Sequence, residues 1–393
     1  MSEVAQATHS SPDGHIPQLR FPGFSGVWRE NRLGNIARIF DGTHQTPKYV
    51  ENGIPFYSVE HITANQFDDT KYISEEVFER ENMRVKLERE DILMTRIGNI
   101  GMAKYIDWNV NASFYVSLAL IKKNESFNSK FLSQLIHSPN FQRQLWKRTI
   151  HVAFPQKINL GEIGKCESIL PTKPEQQKIA AFLTTVDNKI EQLSKKQELL
   201  GEYKKGLMQQ IFSQAIRFKA DDGSDFPDWE EKKLRNVLSS VSTRPYQIKS
   251  ADILEFGSHK VVDQGQKELA GYTNEKDKLL TNDGVIVYGD HTTIVKFINY
   301  DFVVGADGVK LLTSDSNNIK YLYFNLLFNN VGPEGYKRHF SILKNVVLQI
   351  PSLPEQNKIA NFLSSIDSKI EQVGKQLNES KQFKKALLQQ MFV

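Results

Sequence analysis

The chain has 393 residues and a net charge of +4; 39% of its residues are hydrophobic and 24% are charged, which suits a globular protein of two or three domains. Its single cysteine, Cys166, excludes an internal disulfide and a cysteine-based metal cluster, and favours a reducing cytoplasm. No apolar run approaches the roughly 20 residues that span a bilayer, so we expect no membrane association.

The N-terminal part of the chain is predicted to form a disordered leader followed by one α+β domain. Residues 1–16 are polar and lack the apolar segment of an export signal. From residue 17 to residue 170 the sequence has short β-favouring runs separated by Gly and Asn, and one helical pattern. The runs are residues 54–59, 92–95 and 114–121, and the helical pattern covers 130–147.

A central helical region is predicted for residues 171–216. Pro171 and Pro174 end the strand pattern, and Glu175 follows directly. Proline in the first turn of a helix loses no hydrogen bond, and a carboxylate there meets the positive end of the helix dipole. A long helix is therefore expected to begin at this point.

The second half of the chain repeats this plan. A second globular domain is predicted for residues 217–350, and a C-terminal helical region for 351–393. Its β-favouring runs are residues 284–288, 293–298 and 303–312, and its helical pattern covers 319–328.

The two helical regions are copies of one sequence. Residues 174–212 align without gaps to residues 354–392, with 20 identities in 39 positions. A looser repeat joins the Phe-Pro pairs at 21–22 and 226–227. The chain is therefore a duplicated domain-plus-helix unit with an internal pseudo-two-fold repeat, which suits a target that also has two parts.

Apolar residues in both helical regions recur at alternating spacings of four and three, which predicts a coiled-coil seam. Two helices related by a two-fold axis would pair antiparallel. Residues 187–212 would extend about 39 Å as a helix, close to the ~34–36 Å between DNA half-sites one turn apart. The helices would then act as a ruler that sets the distance between the two domains. The alternative is a single amphipathic helix packed on its own domain. The seam residues singled out are Ile190, Leu193, Leu200, Leu207, Ile370, Val373, Leu377 and Leu387.

Several motifs together resemble a known family. They are the Leu-Arg-Phe-Pro-Gly-Phe opening at 19–24, the P-E-Q-x-K-I-A-x-F-L segments at 174–183 and 354–363, the Lys-Lys-x-Leu-x-Gln-Gln-x-Phe helix ends, and the loops at 41–47 and 90–101. On these motifs the chain resembles, over nearly its whole length, the specificity subunit of type I restriction-modification systems.

The resemblance implies an α+β fold with two target recognition domains, separated by two long helices that are conserved in the family and pair as an antiparallel coiled coil. It implies a non-catalytic subunit in which each recognition domain reads one half of a split sequence in double-stranded DNA. The helices would set the spacer and dock two methyltransferase subunits.

By the same resemblance, the chemistry belongs to the partners. S-adenosylmethionine would be bound by the methyltransferase subunits, and ATP and Mg²⁺ by restriction/translocase subunits, with no cofactor and no metal on this chain. The assembled complex would be a DNA methyltransferase and an ATP-dependent endonuclease.

Sequence readout needs side chains that match base-edge donors and acceptors, whereas phosphates are held by cations and backbone N–H groups. An ordinary turn residue remains the alternative for the loop candidates at 43–45, 96 and 99, and a solvated basic helix end remains the alternative for the Trp-Lys-Arg motif at 146–148. Trp146-Lys147-Arg148 is interpreted as the counterpart of Tyr336-Lys337-Arg338, and Tyr288 as lying near the place of Arg96. The candidate DNA contacts are Thr43, His44, Gln45, Arg96, Asn99, Lys147, Arg148, Arg244, Tyr246, Gln247, His291, Lys337, Arg338 and Lys344.

Catalytic signatures are missing from the sequence. It has no Asn-Pro-Pro-aromatic methyltransferase motif, no G-x-x-x-x-G-K-[ST] phosphate loop and no HExxH pair. The rival hypothesis is therefore another binding protein, namely an interaction scaffold or orphan decoy that binds methyltransferase subunits without recognising DNA. Salt dependence separates the two, because phosphate contacts make log affinity fall linearly with log salt.

Overall fold

The computed structural model describes residues 15–305, 307–335 and 337–393. Most of the predicted leader and Tyr336 therefore lie outside the described residues. The chain divides into two compact units: unit 1 is Met1–Leu193 with Gln376–Val393, and unit 2 is Ser194–Lys375. Each unit thus contains one recognition domain of the predicted plan together with stretches from both helical regions.

Unit 1 is built from short strands and helices followed by the first long helix. Its strands are β1 Arg29–Arg32, β2 Ile39–Asp41, β3 Tyr49–Val50, β4 Ile54–Tyr57, β5 Lys71–Ile73, β6 Ile92–Thr95, β7 Ala103–Tyr105, β8 Ser113–Phe114, β9 Leu118–Ile121 and β10 Glu167–Leu170. Its helices are α1 Leu33–Ile36, α2 Val59–Ala64, α3 Glu75–Asn82, α4 Ser129–Ile136, α5 Pro139–Arg148, α6 Leu160–Gly164 and the start of α7 Lys173–Phe212.

Two four-stranded sheets organise unit 1. One has the order β2-β9-β6-β7 and is antiparallel throughout, and the other has the order β3-β5-β4-β8 with β4 and β8 parallel. The predicted run 114–121 is therefore two strands in two sheets. The chain turns between them, where the N–H of Leu118 donates to the carbonyl of Tyr115 at 2.9 Å.

The predicted helix 130–147 is also two helices. Pro139 begins α5, and Ser138 caps it by accepting a hydrogen bond from the Phe141 N–H at 3.4 Å. The break falls here because proline clashes with the preceding helical turn and disfavours the α conformation in the residue before it.

Unit 2 repeats the construction. Its strands are β11 Glu230–Lys233, β12 Ser239–Val241, β13 Gln247–Ile248, β14 His259–Val262, β15 Gly271–Thr273, β16 Val285–Gly289, β17 Val295–Ile298, β18 Val303–Gly305, β19 Val309–Thr313 and β20 Val347–Ile350. Its helices are α8 Ile319–Phe328, α9 Phe340–Leu343, the end of α7 and the start of α10 Leu353–Gln390.

Each unit has its own sheet with the same strand order, and the second sheet of each unit differs in strand order from its counterpart. The order β12-β19-β16-β17 reproduces the first sheet of unit 1, whereas the second sheet has the order β13-β18-β14-β15. The predicted run 303–312 again divides into strands of different sheets, around Gly308 with its φ of +86°. The mixed helix and sheet content and the duplicated plan confirm the predicted α+β fold with an internal repeat.

The two long helices pack together, as predicted. In unit 2, Lys204 of α7 forms an ion pair with Asp367 of α10, and a Cβ added at Gly374 would lie 2.8 Å from the Gln197 amide. The residue further along α7 therefore contacts the residue that comes earlier in α10, so the two helices are antiparallel. In unit 1 the corresponding ion pair joins Asp187 to Lys384.

The end of one long helix completes the core of each unit. In unit 1 the Phe392 ring lies 6.4 Å from Trp28 and 5.4 Å from Phe131, centroid to centroid. In unit 2 Phe212 lies 5.9 Å from Tyr321 and 5.3 Å from Phe328. The C-terminal residues thus belong to the core of the unit that contains the N-terminal domain.

Within the residues that the structure describes, no helix combines the length and the apolar character that crossing a bilayer requires.

Candidate nucleic-acid interface

Each globular domain is fastened to a long helix by an arginine–glutamate pair in which the glutamate is buried and the arginine is half-buried. Arg20 Nε and Nη2 each lie 2.8 Å from a carboxylate oxygen of Glu175, which is 1% exposed. In unit 2, Arg217 makes the equivalent pair with Glu355 at 3.3 and 2.8 Å, and Trp229 Nε1 donates to the same carboxylate. Because both nitrogens of the fork are engaged, the pair fixes direction as well as distance.

The glutamine of the repeated P-E-Q segment is a second fastening point. Gln176 Oε1 accepts from the Asn128 N–H at 2.8 Å, while its Nε2 donates to the carbonyl of Pro171 at 2.8 Å. Gln356 does the same with the Asn318 N–H and the carbonyl of Pro351. The sequence interpretation assigned this segment only a helix-starting role and missed its anchoring role, although its exact repetition was the available signal.

Three loops of unit 1 meet at Arg96. Its Nε donates to the carbonyl of Ile158 at 3.1 Å, its Nη1 donates to the carbonyl of Val116 at 3.0 Å, and Nη1 lies 3.6 Å from Asp41 Oδ2. The residue is only 8% exposed. Burial lowers the pKa of its guanidinium, and the charge of Asp41 opposes that shift. This geometry gives Arg96 a positioning role, so its predicted contact with DNA stays a prediction.

Asp41 organises the candidate loop at residues 41–47. It receives a hydrogen bond from Arg84 and one from His44 Nε2 at 2.9 Å. Burial raises the pKa of the Asp41 carboxyl, but the hydrogen bonds and positive charges of Arg84 and His44 outweigh this effect and hold the pKa below its ordinary value. The loop is therefore ordered by a carboxylate that stays ionised at neutral pH.

Four other candidates in unit 1 lie on the loops that Arg96 joins. His44, Gln45 and Asn99 are exposed, and Asn99 stands beside Gly98, whose φ of +79° is readily adopted only by glycine. Thr43 is half-buried, and its hydroxyl donates to the carbonyl of Gln45 at 3.3 Å. The structure thus places these residues on one connected loop system.

The predicted cation pair at 147–148 ends helix α5. Lys147 is exposed, whereas Arg148 is half-buried and donates to the carbonyls of Gln144 and Lys165 at 3.3 and 3.4 Å. Their proposed counterparts, Lys337 and Arg338, lie in a non-helical segment before α9. The predicted equivalence of the two motifs is therefore wrong, because one pair is helical and the other is not; Tyr336 itself lies outside the described residues.

Backbone hydrogen bonds identify the true counterpart of Arg96 as Asp290. The Arg96 N–H donates to Ser117 and its carbonyl accepts from Ile158; the Asp290 N–H donates to Gly308 and its carbonyl accepts from His339. The expectation that Tyr288 stands near the place of Arg96 was therefore wrong by two residues along the strand. Tyr288 is fully buried in the core, and burial raises the pKa of its hydroxyl to about 12.

The candidates of unit 2 are dispersed over several loops. Gln247 Nε2 donates to Asp307 at 2.7 Å, His291 Nδ1 lies 3.2 Å from the carbonyl of Lys337, and the Lys337 ammonium lies 3.2 Å from Glu334. The Lys344 ammonium stands 4.8 Å from the centre of the Phe340 ring. Arg244 and Arg338 are exposed and Tyr246 is half-buried. Their contacts with DNA stay predictions.

The predicted seam positions are all buried or half-buried. Leu193, Val373, Leu377 and Leu387 are buried, and Ile190, Leu200, Leu207 and Ile370 are half-buried. The contact of the half-buried positions with other subunits stays a prediction.

Comparison with known proteins assigns the family. The family model described as "Type I restriction modification DNA specificity domain" matches twice, at residues 26–200 and 227–381. The chain belongs to this family. It therefore has a DNA sequence-specificity role, and the specificity subunit of this family is non-catalytic.

Relatives of similar length support the same assignment. The putative type I restriction enzyme MjaX specificity subunit of Methanocaldococcus jannaschii is 23% identical, over 92% of each chain. The MjaVIII specificity subunit of the same organism is 26% identical, over 92% of this chain and 91% of the relative. The crystal structure of the type I restriction-modification S subunit from M. genitalium shares the fold, with a TM-score of 0.65, 14% identity, and coverage of 96% of this chain and 99% of that one.

Proposed function

We propose that each unit of this specificity subunit reads one half of a split DNA sequence, and that the paired long helices set the gap between the half-sites. The observation that carries the proposal is a shared framework with different contents. Both units have the Arg–Glu anchor and one sheet of identical strand order, yet Arg96 in one corresponds to Asp290 in the other. Two readers of different sequences need this combination.

We further propose that the chain docks two methyltransferase subunits, which supply S-adenosylmethionine-dependent methyl transfer, and restriction subunits, which supply ATP- and Mg²⁺-dependent translocation and cleavage. No observation on the described residues favours the scaffold or decoy alternative over DNA recognition.

The test is to co-express the chain with its methyltransferase subunit and map modified bases across the host genome by long-read sequencing. A split motif with a fixed gap, absent when the chain is omitted, is expected. A stable complex that modifies no defined sequence would contradict the proposal and support the decoy alternative.

A matched deletion tests the ruler. Removing residues 194–200 together with their repeat partners 374–380 shortens both helices by one heptad, about 10 Å at 1.5 Å per residue. At ~3.4 Å per base pair this corresponds to about three base pairs, so the gap in the methylated motif should shorten while both half-sites stay the same. Removing one heptad from α7 alone is the control and should disrupt the pairing. An unchanged gap in an active double deletion would sink the ruler.

A further inference from the structure

The 149–157 loop of unit 1 presents an unusual apolar tip. Val152 is 97% exposed and Phe154 is 104% exposed, although burying a phenylalanine is worth more than burying most other side chains. Trp146, on the helix that leads into the loop, is 66% exposed. Large apolar side chains that are fully exposed on one loop mark a surface that another molecule covers.

The base of the loop is held firmly. The Ile150 N–H donates to the carbonyl of Lys157 at 2.8 Å, and the Gly98 N–H donates to the carbonyl of Gln156 at 2.8 Å. The Ile158 N–H donates to the carbonyl of Arg96 at 3.0 Å. The tip is therefore presented on a base that is already ordered, which reduces the entropy lost on binding.

The charge around the loop identifies the kind of partner. Between Glu125 and Glu162 the sequence contains no Asp or Glu, and it contains five cations: Lys130, Arg143, Lys147, Arg148 and Lys157. Three of these cations, Arg143, Lys147 and Arg148, lie on α5, which leads into the loop, and Lys157 lies at the base of the loop, so this positive charge is complementary to a polyanion. Beside the loop lies a cleft of about 410 Å³, lined by Asn99, Arg143, Trp146 and Gln156 among others. The partner that combines phosphates with flat apolar surfaces is duplex DNA.

We propose that Phe154 is a wedge that inserts between adjacent base pairs of the half-site read by unit 1. Apolar side chains, phenylalanine among them, are inserted in this way by proteins that unstack and kink DNA. The flanking Lys147 and Lys157 hold the phosphates on either side. A step that unstacks easily is then favoured at the insertion point, so the loop adds shape readout to base-edge readout. This inference rests on the proposed function, since it requires that unit 1 binds DNA.

The test uses the full chain assembled with its methyltransferase subunits and a duplex containing the mapped target. 2-Aminopurine replaces single bases of the unit 1 half-site in turn, because its fluorescence rises when it loses its stacking neighbours. Wild type should show a rise at one step. Phe154→Ala should lose the rise and bind roughly 5- to 140-fold more weakly, the range for losing one base–aromatic stack. Phe154→Leu should keep most of the rise, and Phe256→Ala, at a 78% exposed phenylalanine of unit 2, should change nothing.

The salt dependence of DNA affinity distinguishes the wedge from a phosphate contact. Phe154→Ala should leave the slope of log affinity against log salt unchanged, whereas Lys147→Ala should reduce its magnitude by about one. If wild type binds and methylates its target without a fluorescence rise at any step, the wedge is wrong and the proposed function stands. If Phe154→Ala weakens assembly of the subunits without DNA, the loop is a protein contact and the wedge is wrong. If wild type neither binds DNA nor directs methylation, both proposals fall.

Discussion

Arg20 and Glu175, 155 positions apart in the chain, form a two-pronged ion pair that joins the N-terminal segment to the first turn of α7. Arg20 also donates to the carbonyls of Ser25 and Gly26 at 3.0 and 2.6 Å. Unit 2 repeats this arrangement, with Arg217 bound to Glu355 and to the carbonyls of Phe226 and Pro227. The P-E-Q repeat is thus the helix side of a joint whose other side is the arginine.

Removing the carboxylate of this joint should destabilise unit 1. Glu175→Ala leaves the Arg20 guanidinium, whose side chain is 15% exposed, without its charge partner, and such a loss typically costs about 3–5 kcal/mol. Chemical denaturation should show the loss of stability, and hydrogen exchange should locate it in unit 1. The control is Glu198→Ala, because Glu198 pairs with Lys195 at the surface and such pairs contribute about 0–1 kcal/mol. Equal stability of the two variants would contradict the anchoring role.

The last residues of the chain should stabilise the unit that contains the N-terminal domain. Phe392→Ala removes a ring packed on Trp28 and Phe131 and should lower the free energy of unfolding by about 3–5 kcal/mol. Faster hydrogen exchange is expected in unit 1, and Trp28 emission should shift. Phe383→Ala, at a 53% exposed position of α10, the helix that precedes Phe392, should stay within about 0.5 kcal/mol of wild type. An effect of Phe392→Ala confined to unit 2 would refute this assignment.

Arg96→Ala should relax the reading of one half-site only. The substitution removes the hydrogen bonds that tie Ile158 and Val116 together, so the loops of unit 1 lose their fixed arrangement while those of unit 2 keep theirs. The methylated motif should become degenerate in one half, with the gap unchanged. Arg96→Lys should also fail to restore discrimination, because an ammonium lacks the planar fork that reaches both carbonyls.

Asp290 provides the matched variant for the other half. Its carboxylate accepts a hydrogen bond from the Phe340 N–H at 2.9 Å, so Asp290→Ala should loosen the corresponding loops of unit 2. Degeneracy should then appear in the opposite half of the motif. If both variants blur the same half, the correspondence between units and half-sites is wrong.

The loop at residues 41–47 should loosen in acid. The folded pKa of Asp41 lies below its ordinary value, so its ionised form contributes stability that is fully present above about pH 4 and is lost as the pH falls through the folded pKa. The protection of the loop amides against hydrogen exchange, measured relative to the intrinsic rate at each pH, should fall over that range in wild type. Asp41→Asn should show the lower protection already at neutral pH and a smaller acid response. An identical acid response in both proteins would assign it to other carboxylates.

Much of the organisation follows from the sequence alone, because it depends on local patterns. The duplication, the antiparallel helix pair and the strand at Ile92–Thr95 are predicted by identity, heptad spacing and β-favouring runs, and the helix at Ile319–Phe328 matches its predicted bounds. The register itself was not predicted: a two-fold relation requires only that Asp367 lies opposite Lys204 if Asp187 lies opposite Lys384, and the structure supplies both pairs.

Only the tertiary structure decided which distant segments meet. The division of the runs 114–121 and 303–312 between two sheets depends on backbone hydrogen bonds to strands far away in the chain. The counterpart of Arg96 is Asp290 for the same reason, since their equivalence lies in hydrogen bonds to Ile158 and His339 and not in residue type. A local sequence pattern specifies how a segment bends. The strand with which it pairs lies far away in the chain, and pairing with it must offset the entropy lost when the long loop between them is closed.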